Sequence, residues 1–279
     1  MNSIPSILRW KLEISTFGFM KLNHKIFGEG DDTLIILHGL LGSLDNWQSL
    51  AKRYADYFEV HLIDQRNHGR SPHADEFSYL HLSNDLHHYI IDNQLNDVVI
   101  IGHSLGGKVA MLFSLKNPDR VNKLVVADMA PVSYPTQLSV MFDVLSSFDL
   151  TQFNTRREIS IGLSQYIDDD QVIQLLIQNI FKSNDVFTWR FNLDSIKNHY
   201  KDLCRGLSIP DDGYQFTNPM LLIYGKKSNY WHPKYEHNLK QLFPQAAIFG
   251  IEDAGHWLHI DHPDLFNDQV SSFIDNKSQ

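Results

Sequence analysis

The sequence predicts an α/β fold, a mostly parallel sheet flanked by helices with one helical insertion, and three observations carry that reading. Short runs rich in Val, Ile and Leu recur from Met20 onward, apolar residues at helical spacing separate them, and the alternation breaks once, between Pro131 and about Asn218. The 279 residues suit one sizeable domain carrying such an insertion.

The expected strands are Thr33–Leu37 (TLIIL), Phe58–Ile63 (FEVHLI), Val98–Ile101 (VVII), Lys123–Ala127 (KLVVA), Met220–Tyr224 (MLLIY) and Ala247–Ile251 (AIFGI). Continuous apolar strands of this kind are buried on both faces, as in a parallel sheet covered by helices. Between them, residues 132–217 show no strand-like run, and Val172, Leu175, Leu176 and Phe181 fall at helical spacing. A long insertion emerges at one end of such a sheet, and ligands bind beyond the carboxyl ends of its strands, so 132–217 is expected to act as a lid. The plainer alternative is a helical pair that only extends the core. The core proper is then 20–131 together with 218–279. Residues 1–19, with Arg9, Lys11 and Glu13 among apolar neighbours, do not have the pattern of a secretory leader and are expected to be an appendage, an extra edge strand or a misassigned start ahead of Met20.

Composition narrows the function classes. Hydrophobic residues at 43% and charged residues at 20% exclude a disordered, collagen-like or coiled-coil chain. The 24 Lys and Arg against 33 Asp and Glu leave a net charge of −9, which repels phosphate backbones and anionic head groups, so no nucleic-acid partner is expected. Charged or polar residues interrupt every apolar run before it could span a membrane. A single cysteine, Cys204, precludes an intrachain disulfide and fits a reducing, cytoplasmic setting. The 15 histidines include no pair at metal-ligand spacing joined by a suitable third ligand, so no metal is expected.

The chemistry centres on Gly102-His103-Ser104-Leu105-Gly106, which follows the run Val98–Ile101 and opens a helical pattern through Val109, Leu112 and Phe113. A serine on a sharp strand-to-helix turn has its hydroxyl exposed above the sheet, and glycines two residues either side let strand and helix approach. The bland alternative is a Gly-rich turn with an incidental serine. Gly102–Lys108 also fits G-x-x-x-x-G-K, but Val109 stands where a phosphate-binding loop needs a hydroxyl for magnesium, so that reading is set aside. A serine nucleophile needs a base, and a carboxylate to orient that base. His256, in Asp253-Ala254-Gly255-His256-Trp257, lies just past the last strand and thus at the same end of the sheet as Ser104. Most of the other histidines read as surface or capping residues.

With the elbow, an early His-Gly turn and a late Gly-His in this order, the sequence from Met20 onward resembles the α/β-hydrolase fold enzymes. The early turn His38-Gly39-Leu40-Leu41-Gly42-Ser43 resembles the family's oxyanion loop, which makes the backbone N–H groups of Leu40 and Leu105 the candidate oxyanion donors. His38 opens that turn and is counted among the pocket candidates. Asp64-Gln65-Arg66-Asn67-His68-Gly69-Arg70-Ser71 resembles the family's D-x-R-x-x-G-x-S turn and is expected to be structural. The acid departs from the pattern of many relatives, in which it follows the strand matching Met220–Tyr224, because Gly225–Tyr235 (GKKSNYWHPKY) contains no Asp or Glu. Asp128, in VADMAP at the end of the preceding strand, becomes the candidate acid, with a helix N-cap as its alternative role. Ser228 occupies the vacated position and could join the same network.

GHSLGGK, VADMAPV, the WRFN of Trp189–Asn192, GKKSNY and AGHW together resemble the YbfF-type esterases. The resemblance implies a cofactor-free serine hydrolase acting on short- to medium-chain acyl esters, and in some relatives on acyl-CoA thioesters. It makes Ser104 nucleophile, His256 base and then acid, and Asp128 the orienting acid. Trp189, Arg190 and Phe191 are expected to line the acyl pocket or else to form lid core. Two rivals stand beside this reading: a lyase-type or C–C bond enzyme such as the succinyl-hydroxycyclohexadiene-carboxylate synthases, and a receptor that binds without turnover.

Overall fold

The computed structural model describes residues 19–207 and 214–275. The expected appendage of residues 1–19 lies, apart from Phe19, outside the described residues. The strands are β1 (His24–Phe27), β2 (Asp32–Leu37), β3 (Phe58–Ile63), β4 (Val98–His103), β5 (Val121–Ala127), β6 (Ile180–Ser183), β7 (Val186–Trp189), β8 (Met220–Gly225) and β9 (Ala246–Ile251). The α-helices among the described residues are α1 (Gln48–Tyr54), α2 (Tyr79–Asp92), α3 (Leu105–Lys116), α4 (Ser139–Ser147), α5 (Arg156–Leu163), α6 (Asp170–Gln178), α7 (Leu193–Leu203), α8 (Glu236–Leu242), α9 (Leu258–Asp261) and α10 (Pro263–Asp275).

All six expected strands form, and they pair in parallel in the order β3-β2-β4-β5-β8-β9, with β1 added antiparallel to the outer edge of β3. Successive residues of one strand face opposite layers: Leu34 and Ile36 belong to one apolar core, Ile35 and Leu37 to the other, and all four are at most 1% exposed. That two-sided burial is why these strands read as unbroken apolar runs. From β2 the chain passes first to β3 on one side and later to β4 on the other, so a crevice opens at the carboxyl ends of β2 and β4, where the strand order reverses.

Helices α4–α7 and the antiparallel pair β6–β7 occupy the stretch between β5 and β8. The hairpin corrects the expectation that this stretch holds no strand. Val172, Leu175 and Leu176 lie on α6, but Phe181 is on β6, where it pairs with Thr188. Its signal was Asn184-Asp185, both left-handed (φ 49° and 64°), which make the two-residue turn that closes a hairpin between short strands. No helix among the described residues is long and apolar enough to cross a membrane.

Candidate active site

The loops leaving β2, β4, β5, β8 and β9 carry Leu40, Ser104, Asp128, Ser228 and His256 to one end of the sheet. Ser104 sits between β4 and α3 with φ 53° and ψ −115°, a conformation L residues rarely adopt. The turn leaves no room for side chains at its glycines: a Cβ on Gly102 would lie 2.4 Å from the Gly106 carbonyl oxygen, and one on Gly106 would lie 2.5 Å from that of Leu37. The sequence pattern G-x-S-x-G is thus a requirement of close backbone packing. Leu105 is the first residue of α3, so its N–H has no partner within the helix.

Asp128, also left-handed (φ 53°), is fully buried just past β5. Its Oδ2 accepts a 2.7 Å hydrogen bond from His256 Nδ1 and a second from the Ser228 hydroxyl, and its Oδ1 accepts from the Gly225 amide at 3.2 Å. The next helix, α4, does not begin until Ser139, so the capping alternative does not apply. Ser228 in turn accepts from the Tyr230 amide at 3.1 Å, and the Tyr230 ring lies against His256 with centroids 4.2 Å apart. With Nδ1–H held by a carboxylate, the imidazole presents Nε2 as its free base. His103, within the elbow, donates from Nε2 to the His256 carbonyl at 3.0 Å, with burial holding its pKa well below the usual histidine value.

The early turn is held from beneath by two histidines. The Gln65 amide donates to His38 Nε2 at 3.1 Å, so His38 Nδ1–H donates to the Gly39 carbonyl at 2.8 Å. The Leu41 amide donates to His68 Nε2 at 3.1 Å, and His68 Nδ1–H donates to the Arg66 carbonyl at 2.9 Å. Burial lowers their pKa values to about 4 and about 3, so both are neutral rings with defined tautomers. Leu41 itself is left-handed (φ 61°), and Gly42 N–H bonds back to the Gly39 carbonyl at 3.1 Å. The Asp64–Ser71 segment anchors the same turn, since Asp64 accepts from the amides of Leu44 (2.7 Å) and Arg70 (2.8 Å) while Arg66 forms a buried ion pair with Asp85. His68, inside the Asp64–Ser71 segment expected to be structural, is fully buried and supports the loop.

Ser104, His256, Leu40, Leu105 and His38 all line one cavity of about 400 Å³. Leu138, Met141, Val172 and Leu175 of the insertion close its far side, with Tyr79 and Met129 from the core. Trp189, Arg190 and Phe191 do not line it. Trp189 and Phe191 stack on each other (5.2 Å between centroids), Phe191 is buried, and the Arg190 guanidinium lies over the Phe181 ring at 5.1 Å. They hold the hairpin to its own surroundings, which is the lid-core alternative. No group of His, Cys, Asp and Glu suited to a metal ion occurs among the described residues.

The family model for the alpha/beta hydrolase fold matches residues 32–263. The chain is 34% identical over 257 residues to the mouse (Mus musculus) protein named sn-1-specific diacylglycerol lipase ABHD11, covering 88% of this chain and 83% of that one. It is 32% identical over 244 residues to Esterase YbfF of Escherichia coli K12, covering 87% and 93%. A solved structure titled Marine microorganism esterase superposes with a TM-score of 0.88 at 42% identity, covering 91% and 99%. The chain belongs to the α/β-hydrolase family. Within it, this is an esterase of the YbfF type.

Proposed function

We propose that the chain hydrolyses carboxylic esters of short- to medium-chain acyl groups through an acyl-enzyme on Ser104, with His256 as base and then acid and Asp128 orienting it. The observation that supports this most directly is the fully buried Asp128 carboxylate, bonded at 2.7 Å to a histidine that shares the cavity of a strained elbow serine. His256 Nε2 takes the Ser104 proton as Oγ bonds to the substrate carbonyl carbon, and the oxyanion draws on the N–H groups of Leu40 and Leu105. The proton then passes to the departing alkoxide, or to the thiolate of a thioester such as an acyl-CoA. Water, deprotonated by the same nitrogen, attacks the acyl carbon, and the proton returns to Ser104 as the acid leaves. Ser228 and the Gly225 amide keep Asp128 aimed at Nδ1. The insertion serves as the lid, with Leu138, Met141, Val172 and Leu175 facing the acyl group.

The test is hydrolysis of p-nitrophenyl esters from acetate to palmitate, with acyl-CoA thioesters alongside, by the wild-type protein and Ser104→Ala. Turnover by wild type alone supports the nucleophile, and the preferred chain length measures the cavity. Turnover of no ester by wild type would sink the reading and return the chain to a binding scaffold.

A further inference from the structure

Lys108 lies one turn beyond Ser104 on α3, yet its side chain is 1% exposed. A lysine ammonium is almost never buried so fully without an anionic partner. Among the described residues it has no carboxylate within ion-pair distance. Nζ instead donates to two backbone carbonyls, Val132 at 2.9 Å and Arg205 at 2.7 Å, and sits over the rings of Tyr134 (4.9 Å) and Tyr79 (5.4 Å). Val132 and Arg205 are on the two crossings by which the chain enters and leaves the insertion.

Those crossings are also bonded to each other: Tyr134 N–H to the Cys204 carbonyl at 2.7 Å, Leu207 N–H to the Pro131 carbonyl at 3.1 Å, and Gly206 N–H to Ser133 Oγ at 2.8 Å. They form a neck, and one ammonium from the nucleophile's helix donates to a carbonyl on each side of it. The neck reaches the site as well. Tyr134, Leu203 and Cys204 line the cavity, and the Tyr134 hydroxyl accepts from the Ala130 amide (2.8 Å) and donates to the Tyr230 carbonyl (2.7 Å), whose ring lies against His256.

We infer that Lys108 is a positioning residue that clamps the neck of the insertion to the nucleophile's helix and thereby sets the acyl-binding wall of the cavity. This rests on the esterase reading. The ammonium makes charge-assisted bonds about twice as strong as those of a neutral donor, so the clamp weakens when the proton is lost. Burial lowers the Lys108 pKa to about 8. The titratable groups facing it are Tyr79, Tyr134 and, beyond them, Tyr200 and Tyr230, all pushed up by burial, and the Cys204 thiol.

The readout is the ratio of kcat/KM for p-nitrophenyl hexanoate to that for the acetate, in which protonation events common to both esters cancel. In wild type this ratio should fall as pH rises through about 8, and Cys204→Ala should keep that fall. Lys108→Met, nearly isosteric but without donors, should lower the ratio about tenfold at pH 7, chiefly through KM, and leave it flat with pH. A wild-type ratio independent of pH, or a Met variant that loses both esters by one factor, would overturn the inference while leaving the esterase reading intact. If the Met variant does not fold, the wild-type and Cys204→Ala profiles decide. Absence of turnover of either ester by wild type overturns both.

Discussion

The two walls of the cavity are built on different principles. On the core wall, Leu41, Ser104 and Asp128 each carry a left-handed backbone, and each is fixed by hydrogen bonds: the Leu41 amide to His68, the Ser104 amide to the Ala127 carbonyl and the Asp128 amide to the Ile223 carbonyl. The wall contributed by the insertion consists of side chains such as Leu138, Met141, Val172 and Leu175, which come from ordinary helices and one loop and whose placement depends on how those elements pack. Strain concentrated on one wall and absent from the other is the pattern expected where one wall does chemistry and the other only accommodates shape.

The sharpest way to break this comparison is to disturb the strained wall. Asp128→Asn keeps the shape but removes the charge that fixes the His256 tautomer, and kcat should fall on the order of 10³–10⁴-fold. Ser228→Ala removes one of several bonds to the same carboxylate, Gly225 N–H remaining, and should cost no more than about tenfold. Steady-state kinetics of the two variants rank them; the opposite ranking would move the acid role off Asp128.

Legibility in the sequence follows the same division. The elbow could be read because Gly102 and Gly106 are forced by sub-van der Waals backbone approach, and the six core strands because burial leaves them mostly apolar, with few polar residues such as Glu59, His61 and Lys123. Asp128 was legible by elimination, since Gly225–Tyr235 offers no carboxylate. Ser228 stands where that acid would be, and in the structure it bonds to Asp128. Trp189–Phe191 was left between pocket lining and lid core because an aromatic cluster has the same sequence appearance whether it faces a ligand or a hairpin's own core. β6 and β7 went unseen because each has only four residues, too few for alternation to register against helical spacing. The support that His68 gives the early turn was not legible, because a buried, neutral histidine differs from a surface one only through its tertiary partners.

That histidine pair provides the next test, of how far the strained wall depends on neutral support. His38 and His68 have folded pKa values of about 4 and about 3 against an ordinary 6.5. Because the unfolded chain takes up the protons first, the folded state holds its full advantage above about 6.5 and loses it as pH falls toward those values, at up to ~1.4 kcal/mol per pH unit for each ring. Urea unfolding between pH 7 and 4.5 should therefore show stability dropping by a few kcal/mol, and His68→Phe should flatten part of that slope. A slope unchanged in His68→Phe would mean that the ring is not held neutral.

The smallest expected effect on activity comes from the hairpin side of the insertion, and it separates packing from recognition. Phe191 is 2% exposed and stacked on Trp189, so Phe191→Ala should cost roughly 3–5 kcal/mol of stability through the cavity it leaves. Measured per folded molecule, its kcat/KM across the ester series should stay within about twofold of wild type, because no atom of Phe191 lines the substrate cavity. Met141→Ala should behave in the opposite way. Met141 is only half-buried and faces the cavity, so shortening it should cost little stability and move the preferred ester toward longer chains. If Phe191→Ala shifts the chain-length profile as much as Met141→Ala does, the hairpin is mechanically continuous with the acyl wall, and the insertion acts as one body rather than as a pocket lining with a separate support.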